Sequence, residues 1–273
     1  MSNTLFVGKV YHRFDVLPST NDWAANLVAP TIASPHLGGL GGAAKTKPPE
    51  GTVVRAANQT AGRGQLGSLW QSAPEENLLL SIILYPTWLE VQAQFYLSMA
   101  VALGLNDLLE SILNRPSSIV NAHSIKWPND LYLNDQKTAG ILIQNSLSGS
   151  QLQSSIVGIG LNVNQLEFSV DLPNATSLRR VFGQEFDLDA VADRLFECLE
   201  RRYLQLKAGN RAEIKAEYEE NLWRRGKLSR FVRSAGAQEF EGTILGVTER
   251  GLLRVETGEG LEEFEVKEVR FVG

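Results

Sequence analysis

Two patterns of apolar residues alternate along this chain, and the first of them predicts helices. Over residues 90 to 114, apolar side chains recur every three or four positions, which is the spacing of one buried helix face. Further helices are predicted at residues 188 to 207 and 210 to 223. The stretch "STNDWAANL" begins with Ser19 and Thr20, and either hydroxyl is suited to cap a helix that starts there.

Short apolar or alternating runs form the second pattern and predict strands. "LFVGKVYHRFDV", "TVVRAAN" and "NLLLSIILY" are three such runs, and the last is apolar enough to be a buried strand. Residues 124 to 164 contain more strands, interrupted at "NDQ" and "SGS", which predicts an antiparallel meander. From Gly226 onward, short alternating strands are separated by "SAGAQE", "TERG" and "TGEG", which predicts a small β-barrel.

Together these elements predict an α+β protein with two domains. Residues 1 to 225 are expected to form a mixed, largely antiparallel sheet with flanking helices, and residues 226 to 273 the small barrel. Residues 28 to 51 are rich in proline, glycine and alanine and have no periodicity, so a long flexible excursion is predicted there.

The composition narrows the class of protein. The chain has 273 residues, 43% of them hydrophobic, and a formal net charge of −5, which argues against a generally basic nucleic-acid surface. Its single cysteine, Cys198, allows no intramolecular disulfide and fits a reducing compartment. The N-terminus has no apolar signal core, and no uninterrupted apolar run approaches membrane length. A cytoplasmic protein without membrane or nucleic-acid partners is predicted.

A glycine-rich loop is the first candidate for chemistry. In "NQTAGRGQLGSLWQS", the backbone N–H groups of Gly62, Gly64 and Gly67 are able to converge on a phosphate or carboxylate. Arg63 would add a forked cation. The alternative is a hairpin loop with a surface arginine, and the loop alone does not decide between the two.

"KWPND" and two glycine-containing strands are the next candidates. Pro128 ends a strand, so Lys126 and Trp127 occupy its last paired positions, where a side chain is able to face a pocket. A polar strand end with a solvated lysine is the alternative, and it is favoured if this motif is taken alone. "KTAGILIQ" and "GIGLNVN" place small residues where a ligand or another backbone can approach closely, or where a strand is bulged. The three histidines lack metal-ligand spacing, so any metal ligands stay unknown.

The order of these motifs resembles that of the biotin–protein ligases (biotin–[acetyl-CoA-carboxylase] ligases). "STN", "QTAGRG", "W", "KWPNDLYLNDQKTAGIL", "GIGLNVN" and "NATSL" follow one another in that order, and the resemblance runs from about residue 14 to the C-terminus. It implies a class II synthetase-like catalytic fold and an SH3-like C-terminal barrel. It also implies that biotin and MgATP form biotinyl-5′-AMP, and that biotin then passes to a lysine of the biotin carrier domain of an acetyl-CoA carboxylase.

The resemblance also implies a set of site residues. Those matched to biotin binding are Ser19, Thr20, Asn21, Gln59, Arg63, Gly64, Gln65 and Lys126. Those matched to nucleotide binding are Trp70, Asn129, Lys137, Gly140 and Asn162. Lys126 and Arg63 are predicted to be catalytic, because adenylation joins two anions and requires positive groups to offset their repulsion. Lys126 is expected near the reacting acyl oxygen, Gln59 at the ureido ring and Trp70 beside the adenine.

Two features depart from the family pattern. Gln65 stands where the family often has arginine, so one expected cation is missing. Some members carry an N-terminal helix-turn-helix domain and repress transcription. Here the catalytic pattern begins at Ser19, so a form lacking that domain is expected.

The sequence opposes two other functions. A lipoate ligase or acyltransferase on the same fold would tend to show three consecutive glycines followed by a histidine, and nothing here matches. A non-catalytic DNA-binding regulator that senses biotinyl adenylate is opposed by the net charge of −5 and by the presence of Lys126 and Arg63. Whether the chain is a monomer or a homodimer stays open.

Overall fold

A computed structural model describes residues 3–29, 46–113, 123–236 and 238–272. Its larger part is built on seven strands: β1 (Tyr11–Leu17), β2 (Val53–Gln59), β3 (Leu78–Leu84), β4 (His123–Lys126), β5 (Asp130–Leu133), β6 (Gln136–Ser148) and β7 (Gln151–Leu161). They form one sheet in the order β1-β2-β3-β7-β6-β5-β4. Only β1 and β2 pair in parallel, and the other neighbours are antiparallel. The predicted mixed, largely antiparallel sheet is confirmed.

Within the residues that the structure describes, five α-helices flank this sheet: α1 (Thr20–Val28), α2 (Phe95–Leu113), α3 (Leu178–Phe182), α4 (Leu188–Lys207) and α5 (Arg211–Glu220). Ser19 caps α1, its hydroxyl accepting a hydrogen bond from the backbone N–H of Asp22, as the sequence predicts. The helix predicted over residues 210 to 223 ends at Glu220, and the short α3 was not predicted.

The strand β3 divides the core between the two faces of the sheet. Leu78, Leu80, Ile82 and Leu84 belong to the main core together with side chains of α2 and α4, whereas Ile83 packs in a smaller cluster with Ala24 of α1. All seven side chains of β3 are buried, as expected for "LLLSIIL" at the centre of the sheet.

The helical stretch Val91–Leu113 is long and apolar enough to cross a membrane by length and composition. However, 72% of its most apolar window is buried against the rest of the protein. Burial of that kind identifies a core helix of a globular fold, and the composition of α2 therefore reflects its packing.

The C-terminal part forms a second sheet of five antiparallel strands. These are β8 (Leu228–Arg233), β9 (Glu239–Val247), β10 (Leu253–Thr257), β11 (Gly260–Phe264) and β12 (Val269–Phe271), in the order β11-β10-β9-β8-β12. As the sequence predicts, "TERG" separates β9 from β10, and "SAGAQE" and "TGEG" separate strands that they overlap only at their end residues Glu239, Thr257 and Gly260. The predicted boundary at residues 225 and 226 lies between α5 and β8.

The small sheet is joined to the larger one by specific contacts. The indole N–H of Trp127, just after β4, donates to the carbonyl of Gly251 at 2.8 Å. A carboxylate oxygen of Glu219 on α5 accepts the backbone N–H of Val247 at 2.9 Å. Gly251 has φ +90°, and a β-carbon there would collide with the ring of Phe95. The end of β4 is therefore held in place by the C-terminal sheet.

Most of the predicted flexible excursion, residues 30–45 of the range 28 to 51, lies outside the described residues. Val28 ends α1, and residues 46–49 have neither helix nor strand.

Candidate active site

A cavity of about 180 Å³ opens where the start of α1 meets the end of β2, the first half of β6 and the end of β7. The parallel pairing of β1 and β2 places Leu17 opposite Gln59, so the chain enters α1 beside that glutamine. The structure brings most of the predicted site residues to this cavity. They are Ser19, Thr20, Asn21, Gln59, Arg63, Gly64, Gln65, Trp70, Asn129, Lys137 and Gly140. Lys126 and Asn162 do not line it.

One wall of the cavity is a hydrogen-bonded polar network. The backbone N–H of Thr20 donates to Oε1 of Gln59 at 2.7 Å. The hydroxyl of Ser81 lies 2.8 Å from the Thr20 hydroxyl and 2.6 Å from Oδ1 of Asn21. Nδ2 of Asn21 donates to Oε1 of Gln144 at 3.0 Å. Sequence reasoning missed Ser81 and Gln144, although a single polar residue in the buried strand "LLLSIIL" was a usable signal.

The glycine-rich loop folds back on itself as a small hairpin. The backbone N–H of Gly64 donates to the carbonyl of Ser68 at 2.7 Å, and that of Trp70 to the carbonyl of Gly62 at 3.0 Å. Gly67 has φ +83°, a conformation that favours glycine in the turn. Because the N–H of Gly64 is used inside the loop, the predicted convergence of glycine N–H groups on an anion is not what the described loop shows.

Arg63 lies at the rim of the cavity, and its guanidinium bonds Asp22 of α1 at 2.5 Å. Both side chains are about half exposed, at 50% and 47%. An exposed ion pair of this kind contributes little net stability, so Arg63 is able to leave Asp22 for an anionic ligand at small cost.

Two opposed glycines form the floor on which Trp70 lies. Gly140 of β6 and Gly160 of β7 are direct partners across the sheet. A β-carbon at Gly140 would come within 2.9 Å of the Trp70 ring, and one at Gly160 would overlap it. The close approach predicted from "KTAGILIQ" and "GIGLNVN" is therefore made by this indole.

Lys137 supplies an ammonium group to the cavity. Its Nζ lies 2.7 Å from Oδ1 of Asp130 and 5.6 Å from the centre of the Trp70 ring. Its backbone is held on both sides, because its N–H donates to the carbonyl of Asn174 and its carbonyl accepts from Thr176. The "NATSL" segment thus fixes the strand position from which Lys137 extends.

Lys126, which the sequence places near the reacting acyl oxygen, does not line the cavity. Its Nζ donates to the Tyr132 hydroxyl at 2.9 Å and lies 5.2 and 5.3 Å from the ring centres of Trp223 and Phe271. Burial lowers the pKa of Lys126 and raises the pKa of Tyr132 to about 12. Lys126 does not reach the cavity because it lies on β4, the edge strand of the sheet, where aromatic side chains surround its ammonium group.

Asn162 is also placed beside the cavity wall, not in it. Its Nδ2 donates to the carbonyl of Thr176 at 2.9 Å, and its backbone N–H donates to the carbonyl of Thr138. Asn162 therefore ties the "NATSL" segment to β6 and supports Lys137 from behind.

Acidic side chains are sparse around the cavity. Among the described residues that line the cavity, one is acidic, Asp130. Within the ranges given above for the described chain, no group of three or more His, Cys, Asp or Glu side chains is arranged to hold a metal ion.

Two family models match separate segments of this chain. The model of the Biotin/lipoate A/B protein ligase family matches residues 30–162, and that of the Biotin protein ligase C terminal domain matches residues 232–269. The chain is thus similar to ligases that act on biotin or lipoate.

Individual relatives narrow that class. The chain is 32% identical to the bifunctional ligase/repressor BirA of Bacillus subtilis (strain 168), over 93% of this chain and 71% of that protein. It is 30% identical to the biotin–[acetyl-CoA-carboxylase] ligase of Mycobacterium tuberculosis, over 92% of this chain and 86% of that one. Its structure is similar to that of the biotin protein ligase from Aquifex aeolicus in complex with biotin and ATP. The TM-score is 0.72 at 26% identity, covering 97% of this chain and 99% of that one. The chain belongs to the biotin protein ligase family.

Proposed function

We propose that this chain activates biotin with MgATP to biotinyl-5′-AMP and transfers biotin to a lysine of a biotin carrier domain. The observation that carries the proposal is the polar wall of Thr20, Asn21 and Gln59, which lies in the same cavity as the Lys137 ammonium. One end of the cavity thus offers hydrogen bonds to a neutral polar ring, and the other offers positive charge.

The polar wall suits the ureido ring of biotin. A cyclic urea presents one carbonyl acceptor flanked by two N–H donors. Oε1 of Gln59 is held by the N–H of Thr20, which leaves the amide N–H groups of Gln59 to donate to a ligand carbonyl. The Thr20 hydroxyl and the Gln59 amide together offer acceptors and donors at one place. The dithiolane ring of lipoate has no group that would use them.

The positive end of the cavity suits adenylation. The biotin carboxylate and the α-phosphate of ATP repel each other, and negative charge moves to pyrophosphate as the bond forms. Lys137 and Arg63 are each paired with one carboxylate at the cavity, so each is able to exchange that partner for a reacting anion. We assign to Lys137 the role that sequence reasoning gave to Lys126.

The donor set also fits Mg²⁺, which usually binds through one or two carboxylates together with substrate phosphates. Asp130 is the carboxylate that would hold it, and the ion would offset phosphate charge. Because Lys137 neutralises Asp130 at 2.7 Å, the carboxylate becomes available when Lys137 turns to the phosphates.

Biotinyl-5′-AMP is a mixed anhydride that water hydrolyses, so the site must exclude water. The loop from Gly62 to Trp70 borders the cavity, and its glycines allow it to move as a lid.

The proposal also includes the acceptor and the compartment: biotin passes to the carrier domain of an acetyl-CoA carboxylase, and the reaction takes place in the cytoplasm. The name of the M. tuberculosis relative supports the first of these.

The proposal is tested by ATP–pyrophosphate exchange with different acids. We expect exchange that depends on biotin and little exchange with lipoate or octanoate, because a site built to pair a ureido ring rejects ligands that lack it. Equal exchange with lipoate would contradict the assignment of biotin as substrate. Omitting each acid in turn controls for contaminating activity.

A second prediction concerns Gln65, which lines the cavity where the family often has arginine. A hydrogen bond from a charged donor to phosphate is worth about 1 kcal/mol more than one from a neutral amide. We therefore expect Gln65→Arg to release biotinyl-5′-AMP several-fold more slowly from a preformed complex without acceptor. Release that is unchanged or faster in the variant would mean that charge at this position does not control retention.

A further inference from the structure

Gln165, which follows the end of β7, is buried at 9% exposure and contacts the segment that leaves the lid loop. Residues 62–70 form the lid loop, and the arm that follows it, residues 71–73, has neither helix nor strand. We infer that Gln165 is a positioning residue that holds this arm, so that Trp70 returns to its glycine floor and the lid retains biotinyl-5′-AMP. This inference rests on the proposed function.

The carboxamide oxygen of Gln165 binds the arm directly. Its Oε1 accepts the backbone N–H of Ala73 at 3.0 Å and Nδ2 of Asn77 at 2.6 Å. The same Nδ2 donates its other proton to the hydroxyl of Ser72 at 2.9 Å. One buried oxygen thus holds the arm both through its backbone and through Asn77, which is itself buried at 1% exposure.

The two carboxamides have one orientation each. A backbone N–H is only able to donate, and a backbone carbonyl is only able to accept. Oε1 of Gln165 accepts from Ala73, while its Nε2 donates to the carbonyl of Glu167 at 2.7 Å. Oδ1 of Asn77 accepts the backbone N–H of Val163 at 2.8 Å. Turning either carboxamide round would therefore break bonds at both of its ends.

These bonds of Gln165 and Asn77 to the arm form a clamp, which joins the two sides of the contact between Trp70 and its floor. The arm begins directly after Trp70, and Gln165 follows the strand that carries Gly160. A β-carbon at Gly160 would overlap the Trp70 ring, so the contact has no spare distance. Binding Ala73 to Gln165 therefore fixes where the chain approaches the floor.

Without the clamp, the arm has to be ordered each time the lid closes. Fixing the backbone of a single residue costs conformational entropy equivalent to a factor of about five to thirty in an equilibrium constant. With the clamp, the arm is ordered before the lid closes, and this cost is not added to closure. Loss of the clamp is therefore expected to lower the population of the closed lid and to speed the loss of bound biotinyl-5′-AMP.

The first measurement is the release of biotinyl-5′-AMP from a preformed complex of the intact chain without acceptor. We expect Gln165→Met, which nearly keeps the volume and removes both acceptor bonds, to release it about fivefold to thirtyfold faster than the unaltered chain. Gln165→Glu keeps an oxygen that accepts from Ala73 and Asn77, and is expected to restore slow release. If only the volume of the side chain mattered, all three chains would release it equally.

Asn164→Leu is the matched control. Asn164 is buried at 6% exposure beside Gln165, and its carboxamide bonds the backbone of Phe186 in both directions, at 2.8 and 2.9 Å. Those bonds lead to the segment before α4 and not to the lid. We therefore expect Asn164→Leu to lower the thermal stability but to leave the release rate unchanged.

Trypsin measures the opening of the lid without any enzymatic activity. Arg63 lies in the lid loop with half of its side chain exposed, and cleavage after it reports how often the loop opens. We expect this cleavage to be faster in Gln165→Met than in the unaltered chain, both free and in the complex, and no faster in Asn164→Leu. Mass spectrometry of the fragments identifies the cut.

A milder variant covers the case in which Gln165→Met fails to fold. Ser72→Ala removes the second bond of the arm, to Asn77, at a partly buried position. Its release of biotinyl-5′-AMP and its cleavage after Arg63 must then both be faster than in the unaltered chain.

Three results overturn the inference: unchanged release or unchanged cleavage in Gln165→Met, the same acceleration in Asn164→Leu, or fast release that persists in Gln165→Glu. If instead the unaltered chain forms no biotinyl-5′-AMP, the proposed function fails. Cleavage after Arg63 in the free variants then decides separately whether Gln165 holds the lid.

Discussion

Replacing Lys137 with methionine is expected to lower biotin-dependent ATP–pyrophosphate exchange about a hundredfold or more, the usual cost of removing one electrostatic group from a reacting centre. The reason is its place in the cavity, 2.7 Å from Asp130 and above the ring of Trp70. Stability should change by less than about 1 kcal/mol, because the ion pair with Asp130 is partly exposed. Initial exchange rates and thermal melting measure the two effects separately.

Lys126→Met is the matched comparison, and we expect it to lower stability more and exchange activity less than Lys137→Met does. Its ammonium lies among Tyr132, Trp223 and Phe271, so its loss is expected to lower stability by about 1–2 kcal/mol. Exchange by the folded variant should stay well above that of Lys137→Met. If Lys126→Met loses exchange as fully as Lys137→Met while it remains folded, the assignment of the reacting lysine to β6 is wrong.

Gly158→Ala is expected to weaken biotin binding about fivefold to 150-fold, the equivalent of the 1–3 kcal/mol that overpacking usually costs. Gly158 lies opposite Ser81 across β3 and β7. A β-carbon there would overlap Oδ1 of Asn21, which cannot turn away easily because Ser81 and Gln144 hold both ends of its amide. Calorimetric titration with biotin measures the loss.

Gly258→Ala provides the control for this substitution. Gly258 lies in the turn between β10 and β11, and a β-carbon there would meet no atom within 4 Å. Its affinity for biotin should equal that of the unaltered chain. If Gly158→Ala also binds biotin as tightly as the unaltered chain, Asn21 is free to move and the polar wall of the cavity is not rigid.

The sequence predicts the elements of this fold well where periodicity is strong. The long helix α2 and the meander from β4 to β7 follow from spacing and turn residues, and Ser19 caps α1 as its residue type suggests. The short α3 has only five residues, too few for a helical period to become visible. The helix α5 ends early because the backbone of residues 221–223 pairs with Ile125 of β4, a tertiary contact that the local sequence pattern does not contain.

The two lysines of "KWPNDLYLNDQK" show where sequence reasoning about the site stops. Lys126 pairs with Asp130 of β5, and Lys137 pairs with Tyr132 two residues further along β5, so both lysines extend from the same face of the sheet. Neighbouring strands are about 4.8 Å apart, which separates β4 from β6 by roughly 10 Å. The alternation of side chains along a strand therefore predicts which face of the sheet each lysine is on, but not where the strand lies across the width of the sheet. Only the assembled sheet distinguishes a lysine over the cavity from one under the aromatic cover.

The glycine loop illustrates a different limit. Both interpretations of "QTAGRGQLG" were physically sound, and the hydrogen bond from Gly64 to Ser68 realises the hairpin with a surface arginine. Nevertheless Arg63 and Gly64 border the cavity, because the end of β2 and the start of α1 bring the loop there. The identity of residues near a site can thus be inferred from a motif, while the direction of their N–H groups depends on loop geometry.

The hydrogen bond from the Trp127 indole to the Gly251 carbonyl limits how freely the two parts of the chain can be recombined. A chimaera carrying the C-terminal module of a relative must supply a carbonyl at the same place and a residue without a β-carbon opposite Phe95. It must also offer a backbone N–H to Glu219. Although the two family models match separate segments, the C-terminal module is a structural part of the catalytic half and not an interchangeable appendage.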